Sequence, residues 1–215
     1  MIPDWATERR AMVERQLRRR GIRDERVLSA MLEIPREEFV PKESRLESYG
    51  DHPIHIGHGQ TISQPYMTAL MAEVLQLSGS ETVLEIGAGC GYAAVVLAKL
   101  AKRVVTVELI PALAQLAVEN LRRTGRGINV TVVEGDGWFG YPELAPYPAI
   151  SVAAAAAEIP AALLEQLADP GCLVIPVGDW DDQELRVVTK REGRIDYRVA
   201  ALCRFVPLRG GEGGQ

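Results

Sequence analysis

The chain has 215 residues, 47% of them hydrophobic, with a formal net charge of −5. That length and apolar share suit one domain with a core that needs no disulfide or metal staple, and the acidic balance argues against a dedicated nucleic-acid binder. Cys90, Cys172 and Cys203 are scattered with no metal spacing, and no apolar run reaches membrane-spanning length. The expectation is therefore a cytoplasmic protein with neither a membrane nor a nucleic-acid partner; a monomer is the default, since nothing in the sequence sets the oligomeric state.

In chain order, Thr7 can cap a first helix that runs to about Arg20 and stops at Gly21. Its arginines alternate with Glu8 and Glu14. They can meet an anionic partner, but a solvated helical face is the favoured reading. Asp24 can cap a second helix with Val27, Leu28, Met31 and Leu32 on one face, ended by Pro35. The span from Phe39 to Gly59 reads as irregular and holds His52, His55 and His58, the only histidines. Nothing fixes their geometry, so a metal site is disfavoured. Pro65 can open a helix to about Leu77, with an apolar stripe of Met67, Leu70, Met71, Val74 and Leu75. From local pattern alone, Ser63 reads as its N-cap.

Thr82 to Ile86 is a strand covered on both faces, and the turn Gly87-Ala88-Gly89-Cys90-Gly91 leads into a helical run, Ala93 to Ala101. Such a turn admits a ligand where any Cβ would block it and points amide N–H groups at that ligand. The spacing is G-x-G-x-G, unlike the dinucleotide pattern G-x-G-x-x-G, and Glu85 precedes it. It is similar to the first motif of the S-adenosylmethionine-dependent methyltransferases; a tight turn without ligand is the alternative. Glu108 ends the next strand, Val104 to Val107, where an acid can accept both hydroxyls of a ribose. Pro111 starts a helix to about Thr124, and Ile128 to Val133 is the third core strand. Asp136, between Gly135 and Gly137, either reaches an adenine amino group or only shapes a turn.

Ala149 to Val152 is a fourth strand and Pro160 opens a helix to Ala168. Pro170-Gly171 turn into a fifth strand, Leu173 to Val177. Gln183 to Lys190 and Tyr197 to Val206 then read as an antiparallel hairpin around Glu192-Gly193. Helices followed by β-α-β-α-β-β-α-β and a hairpin predict an α/β fold: a doubly wound, mostly parallel sheet with an N-terminal helical extension. Ligands in such sheets bind beyond the strand carboxyl ends, where Glu85, the glycine turn, Glu108 and Asp136 fall. The whole chain is expected to be one domain. Residues 1–60 carry helices and the irregular segment, 61–178 the core, 179–208 the last strands, and 209–215 a tail frayed from Gly210.

The segments GHGQTISQPYM (57–67), VLEIGAGCGY (83–92), VTVELIP (105–111), GDG (135–137), EIPAALLEQL (158–167), LVIPVG (173–178) and RFVPL (204–208) resemble the bacterial protein-L-isoaspartate O-methyltransferases. The resemblance runs from about Met12 to Leu208, and its TIS-x-P motif is specific to that family. It implies the methyltransferase form of the doubly wound sheet, with the last strands ordered differently from the usual arrangement. It implies S-adenosyl-L-methionine as cofactor, S-adenosyl-L-homocysteine as product, and L-isoaspartyl proteins and peptides as substrates. Ser63 matches the family's active-site serine and Thr61 its neighbour, both beside the reacting carboxylate. Gln60, Ile62, Thr68, Glu85, Gly87, Ala88, Gly89, Cys90, Gly91, Glu108, Leu109, Asp136 and Gly137 match the cofactor side. Val206, Pro207 and Leu208 match a segment that closes over the substrate.

Cys90, Pro148, Ala153 and Ala157 depart from the family pattern. Pro148 stands for an aspartate, so a cap or turn contact is expected to be lost. A small-molecule methyltransferase shares every cofactor motif. An NAD-dependent oxidoreductase leaves TIS-x-P unexplained, and a non-catalytic binder leaves the intact motifs without purpose.

Overall fold

The computed structural model describes residues 3–179 and 181–211. The expected tail falls partly on 212–215, which lie outside the described residues.

The centre is a seven-stranded sheet. Its strands are β3 (Thr82–Ile86), β4 (Arg103–Glu108), β5 (Val130–Glu134), β6 (Tyr147–Val152), β7 (Leu167–Gly178), β8 (Gln183–Arg191) and β9 (Arg194–Cys203), in the spatial order β5-β4-β3-β6-β7-β8-β9. The first five are parallel, and β8 and β9 add antiparallel in chain order. The order reverses between β3 and β6, so their carboxyl ends frame the crevice where such sheets take ligands. The doubly wound expectation holds, with a plain meander at the final edge.

Alternate residues of the parallel strands feed two apolar layers. Val83, Val104, Ala149 and Val174 pack under α3 (Pro65–Val74), α4 (Tyr92–Leu100) and α5 (Pro111–Thr124), together with the N-terminal helices. Leu84, Val105, Ile150 and Leu173 pack on the other face, against α6 (Ala161–Glu165) and the loops around Tyr147. On the first face a polar row interrupts the apolar one. Glu85 lies in register with Thr106 and Ser151, and all three are buried.

Several boundaries differ from expectation. Asp4, not Thr7, caps α1 (Trp5–Met12). Its carboxylate accepts the amides of Ala6 and Thr7, and the Thr7 hydroxyl donates to it at 2.7 Å. Only α1 is regular; Val13–Leu17 widens to a π-turn and Arg18–Arg20 tightens before Gly21. The arginines are not all solvated. Arg9 pairs with Glu37 at 3.1 Å, Arg18 with Glu25 at 2.5 Å, and Arg20 with Asp51 at 2.5 Å while lying over the Tyr66 ring. The extension is thereby pinned to the next layer. In α2 (Glu25–Glu33) Val27, Leu28 and Met31 are buried, but Leu32 is exposed; Ala30 takes the inward position instead.

The end of the irregular segment opens a hairpin that alternation was too short to reveal. β1 (Ile54–Gly57) pairs antiparallel with β2 (Gln60–Ile62). The predicted α6 shrinks to five residues because Leu167 already pairs with Tyr147 in the sheet. β7 accordingly starts before Pro170, not after it. Pro148 sits at the register shift between β6 and β7, where its missing N–H costs no ladder bond. Among the described residues no helix is long and apolar enough to cross a membrane, and no group of three His, Cys, Asp or Glu side chains is placed to hold a metal ion.

Candidate active site

At the carboxyl ends of β3, β4 and β6 lies a cleft open to solvent, of about 820 Å³ with its mouth included. Four stretches of chain form most of it. The glycine turn forms the floor, because Gly87 and Gly89 hold φ of +94° and +53°, where L side chains are strained. A Cβ on Gly89 would also lie 3.2 Å from Ile56 Cδ1 of the hairpin.

The second stretch is the end of β4. Glu108 is buried yet lines the cleft, and its Oε2 accepts the Gly89 amide at 2.9 Å while Oε1 accepts the Ile110 amide at 3.0 Å. These bonds hold the glycine turn and the β4–α5 turn in one geometry. A carboxylate has about four acceptor directions, so two remain for a ligand.

The third stretch is Gln60 to Ser63, the end of β2 and the approach to α3. The N-cap of α3 is Gln64, and no side chain caps that helix. The Ser63 hydroxyl is therefore not spent as a cap, contrary to the local reading. Thr61, Ile62, Ser63 and Thr68 all line the cleft.

The fourth stretch, Val206 to Arg209, forms the rim. The amide of Leu208 donates to the Ala155 carbonyl at 2.7 Å, and the Ala155 amide donates to Val206 at 2.8 Å. The buried Gln183 amide holds Phe205 from both sides, accepting at 2.7 Å and donating at 3.2 Å.

Ala88, Cys90, Leu109 and Gly137 also line the cleft, but three predicted residues do not: Gly91, Asp136 and Glu85. Gly91, at φ +85°, precedes α4, and a Cβ there would lie 3.4 Å from the Ala117 backbone of α5. Its glycine identity serves helix packing. Gly91→Ala is expected to cost about 1–2 kcal/mol of stability, read as a lowered urea midpoint.

Asp136 turns toward the chain's own backbone, accepting the amides of Trp138 and Gly211, each at 2.9 Å. Gly211 thus belongs to a fixed segment and not to a frayed end.

Glu85 faces an inner recess of about 330 Å³, lined also by Ser63, Thr68, Ser151 and Ala153, which the main cleft partly shares. It is fully buried and, among the described residues, neither carboxylate oxygen has a hydrogen-bond partner; burial pushes its pKa up to about 8. Burial likewise raises the Cys90 thiol to about 11, so this cleft cysteine is no nucleophile.

Sequence reasoning passed over Tyr92, Ile110, Leu113, Ala153, Ala154 and Arg209, all of which line the cleft. The strand-end rule could have found Ala153 and Ala154, which follow β6 as Gly87 follows β3. Arg209 carries no local signal.

The donors and acceptors suit a nucleoside bearing a short charged chain. A glycine floor accepts close approach, Glu108 offers a diol acceptor, and apolar walls at Ile110 and Leu113 can flank a flat base. The neutral hydroxyls of Thr61 and Ser63 stand on the separate β2 segment, within the same cleft.

Comparison with known proteins agrees with this chemistry. The family model described as protein-L-isoaspartate(D-aspartate) O-methyltransferase matches residues 7–213. A protein-L-isoaspartate O-methyltransferase 2 of Marinobacter nauticus is 53% identical over 212 residues, covering 98% of this chain and 96% of the relative. A protein-L-isoaspartate O-methyltransferase of Hyperthermus butylicus is 49% identical, covering 96% of this chain and 91% of its own. Among solved structures, a Plasmodium falciparum chain described as a protein-L-isoaspartate O-methyltransferase, in complex with S-adenosyl-L-homocysteine, is similar with a TM-score of 0.80. It is 30% identical, with 94% of this chain and 98% of that one covered.

Proposed function

The chain belongs to the protein-L-isoaspartate(D-aspartate) O-methyltransferase family, and on that premise we propose how its own residues carry the reaction. It is an S-adenosyl-L-methionine-dependent enzyme that methylates the free carboxylate of L-isoaspartyl residues in damaged proteins and peptides, opening repair through a succinimide. The cofactor supplies an electrophilic methyl group on a sulfonium.

In our reading Glu108 takes the ribose hydroxyls, and Gly87, Ala88, Gly89, Cys90, Leu109 and Gly137 shape the nucleoside site. Gln60, Ile62 and Thr68 complete that side. Thr61 and Ser63 orient the substrate carboxylate, and Val206, Pro207 and Leu208 cover it. A carboxylate with a pKa near ~4 is already ionised at neutral pH, so no general base is needed. No imidazole or amine lines the cleft among the described residues, which is consistent with that economy.

Alignment is then the main task and can supply on the order of 7–11 kcal/mol. Neutral hydroxyls orient the oxygen without over-stabilising its charge, since only interactions stronger in the transition state accelerate transfer. A guanidinium hydrogen-bonded to it would pin the anion and blunt it; the arginine of this cleft, Arg209, belongs to the rim stretch that follows Leu208.

The observation that carries this reading is the Ser63 hydroxyl, not spent as a helix cap, in the same cleft as Glu108. Ser63→Ala is expected to lower turnover on an isoaspartyl peptide about tenfold, the worth of one well-placed neutral hydrogen bond. Cofactor affinity should change little. Transfer of labelled methyl to an isoaspartyl peptide, but not to its aspartyl counterpart, tests the assignment, and unchanged turnover in Ser63→Ala would end the role given to Ser63.

We treat residues 1–215 as a single methyltransferase domain, supported by one central sheet with both apolar layers built on it. We also propose a cytoplasmic monomer that uses neither nucleic acid nor membrane. The free thiols of Cys90, Cys172 and Cys203 and the net charge of −5 support that reading.

A further inference from the structure

Behind the Ser63 segment lies a buried cation that the reaction above does not use. Arg36 stands in the tight turn Arg36–Glu38 after α2 and is fully buried. Among the described residues no carboxylate forms an ion pair with it, although the adjacent Glu37 is buried too. Glu37 is engaged by Arg9 at 3.1 Å and by the Tyr49 hydroxyl.

Arg36 instead donates to two backbone carbonyls, Nε to Ser48 and Nη2 to Ser63, each at 2.8 Å. Its Cζ lies 5.0 Å from the centre of the Tyr92 ring, and Tyr92 lines the cleft. Nη1 has no partner. An unpaired buried guanidinium is costly, and a carbonyl tie alone could be made by a neutral side chain at lower cost. What the planar fork adds is direction, since it fixes two acceptors at once in a set geometry.

We infer that Arg36 is a positioning residue for methyl transfer: it fixes the Ser63 backbone so that the Ser63 hydroxyl meets the substrate carboxylate. The need for such a tie is local. Ser63 follows the end of β2 and precedes a helix whose first turn has no side-chain cap. The backbone carbonyl of Ser63 is held from outside, by a group twenty-seven residues earlier in the chain. Tyr92 supports the guanidinium plane through its ring face, and the Tyr92 hydroxyl in turn donates to Met31 Sδ at 3.7 Å. The stack therefore runs from α2 through Arg36 to the wall of the cleft. This inference rests on the role given to Ser63 above.

Steady-state methylation of an isoaspartyl peptide, with cofactor saturating, tests it in four enzymes: wild type, Arg36→Lys, Ser63→Ala and the double variant. Lysine keeps the charge but is a point donor that cannot serve both carbonyls as the fork does. With Ser63 present, Arg36→Lys is expected to lower kcat about tenfold, as a misplacement of well under 1 Å would. The cofactor Kd, read by calorimetry, should stay within about twofold. With Ser63 already replaced by alanine, the same lysine should cost less than about twofold, because coupled residues are non-additive.

Arg36→Gln, neutral and free of the buried-charge cost, gives the same comparison by a second route. An equal loss in both Ser63 backgrounds overturns the inference, as does a cofactor Kd that worsens in step with kcat. Either would make Arg36 a general tie of the fold. A Ser63→Ala enzyme with wild-type kcat is a different failure: it removes the reading of Ser63 in the single variant, before Arg36 is touched, and this inference falls with it.

Discussion

Glu108→Ala is expected to weaken S-adenosyl-L-methionine binding about a hundredfold, the loss of two charge-assisted hydrogen bonds at roughly 1.5 kcal/mol each. Two effects combine. The first is the acceptor itself: among the described residues Glu108 is the only carboxylate that lines the cleft. The second is the scaffold. Its two oxygens hold the amides of Gly89 and Ile110. Without them the glycine turn and the β4–α5 turn lose their shared anchor, and two half-buried amides are left to find water. Glu108→Gln separates the effects, since it keeps one acceptor and presents an NH2 group where the other amide needs one. An intermediate Kd is expected for it. Titration calorimetry with the cofactor and with S-adenosyl-L-homocysteine measures both, and a Kd unchanged in Glu108→Ala would refute the placement of the ribose.

The second large effect concerns stability and pH. Glu85 is buried without partners and its pKa is displaced from 4.5 to about 8 by that burial. Between those values the unfolded chain gives up the proton while the folded chain keeps it, so the folded state binds more protons. Stability is then full below the unfolded value and falls as pH rises toward the folded one, by up to about 1.4 kcal/mol per pH unit. A domain with a total of only about 5–15 kcal/mol registers such a slope clearly. Glu85→Gln keeps the shape and removes the titration. Thermal melts without cofactor from pH 5 to pH 8 should show a wild-type midpoint that declines with pH. The variant's line should be flatter and lie above the wild type at pH 8. Parallel lines would refute it. A loss of cofactor affinity in the same variant would mean that the carboxyl reaches the ligand through the recess it faces.

The two acids were equivalent as sequence. Each lies at or near the carboxyl end of a core strand, and the resemblance assigned both to the cofactor. The structure separates them by register. Glu85 points with Thr106 and Ser151 into the helix-covered layer, and Glu108 ends its strand one step beyond the sheet's cover. Strand periodicity gives the parity of a residue. It does not give the depth at which the layer above closes.

What the sequence determined by itself is what short-range physics controls. The glycine turn follows from positions that need positive φ, β3 and β4 from short runs dominated by β-branched and apolar residues, α5 from Pro111 and Gly125 at its two ends, and the final hairpin from alternation around Glu192-Gly193. The family motifs fell on the same stretches. The tertiary structure alone decided where the chain's distant polar groups are spent. Asp136 meets Gly211 across seventy-five residues, Arg36 meets Ser63 across twenty-seven, and Ala155 holds Val206 and Leu208. These contacts carry no local signature, because a side chain or amide that hydrogen-bonds far along the chain looks, in sequence, like one that faces water. Folding brings them together only because the sheet order sets which loops share an end.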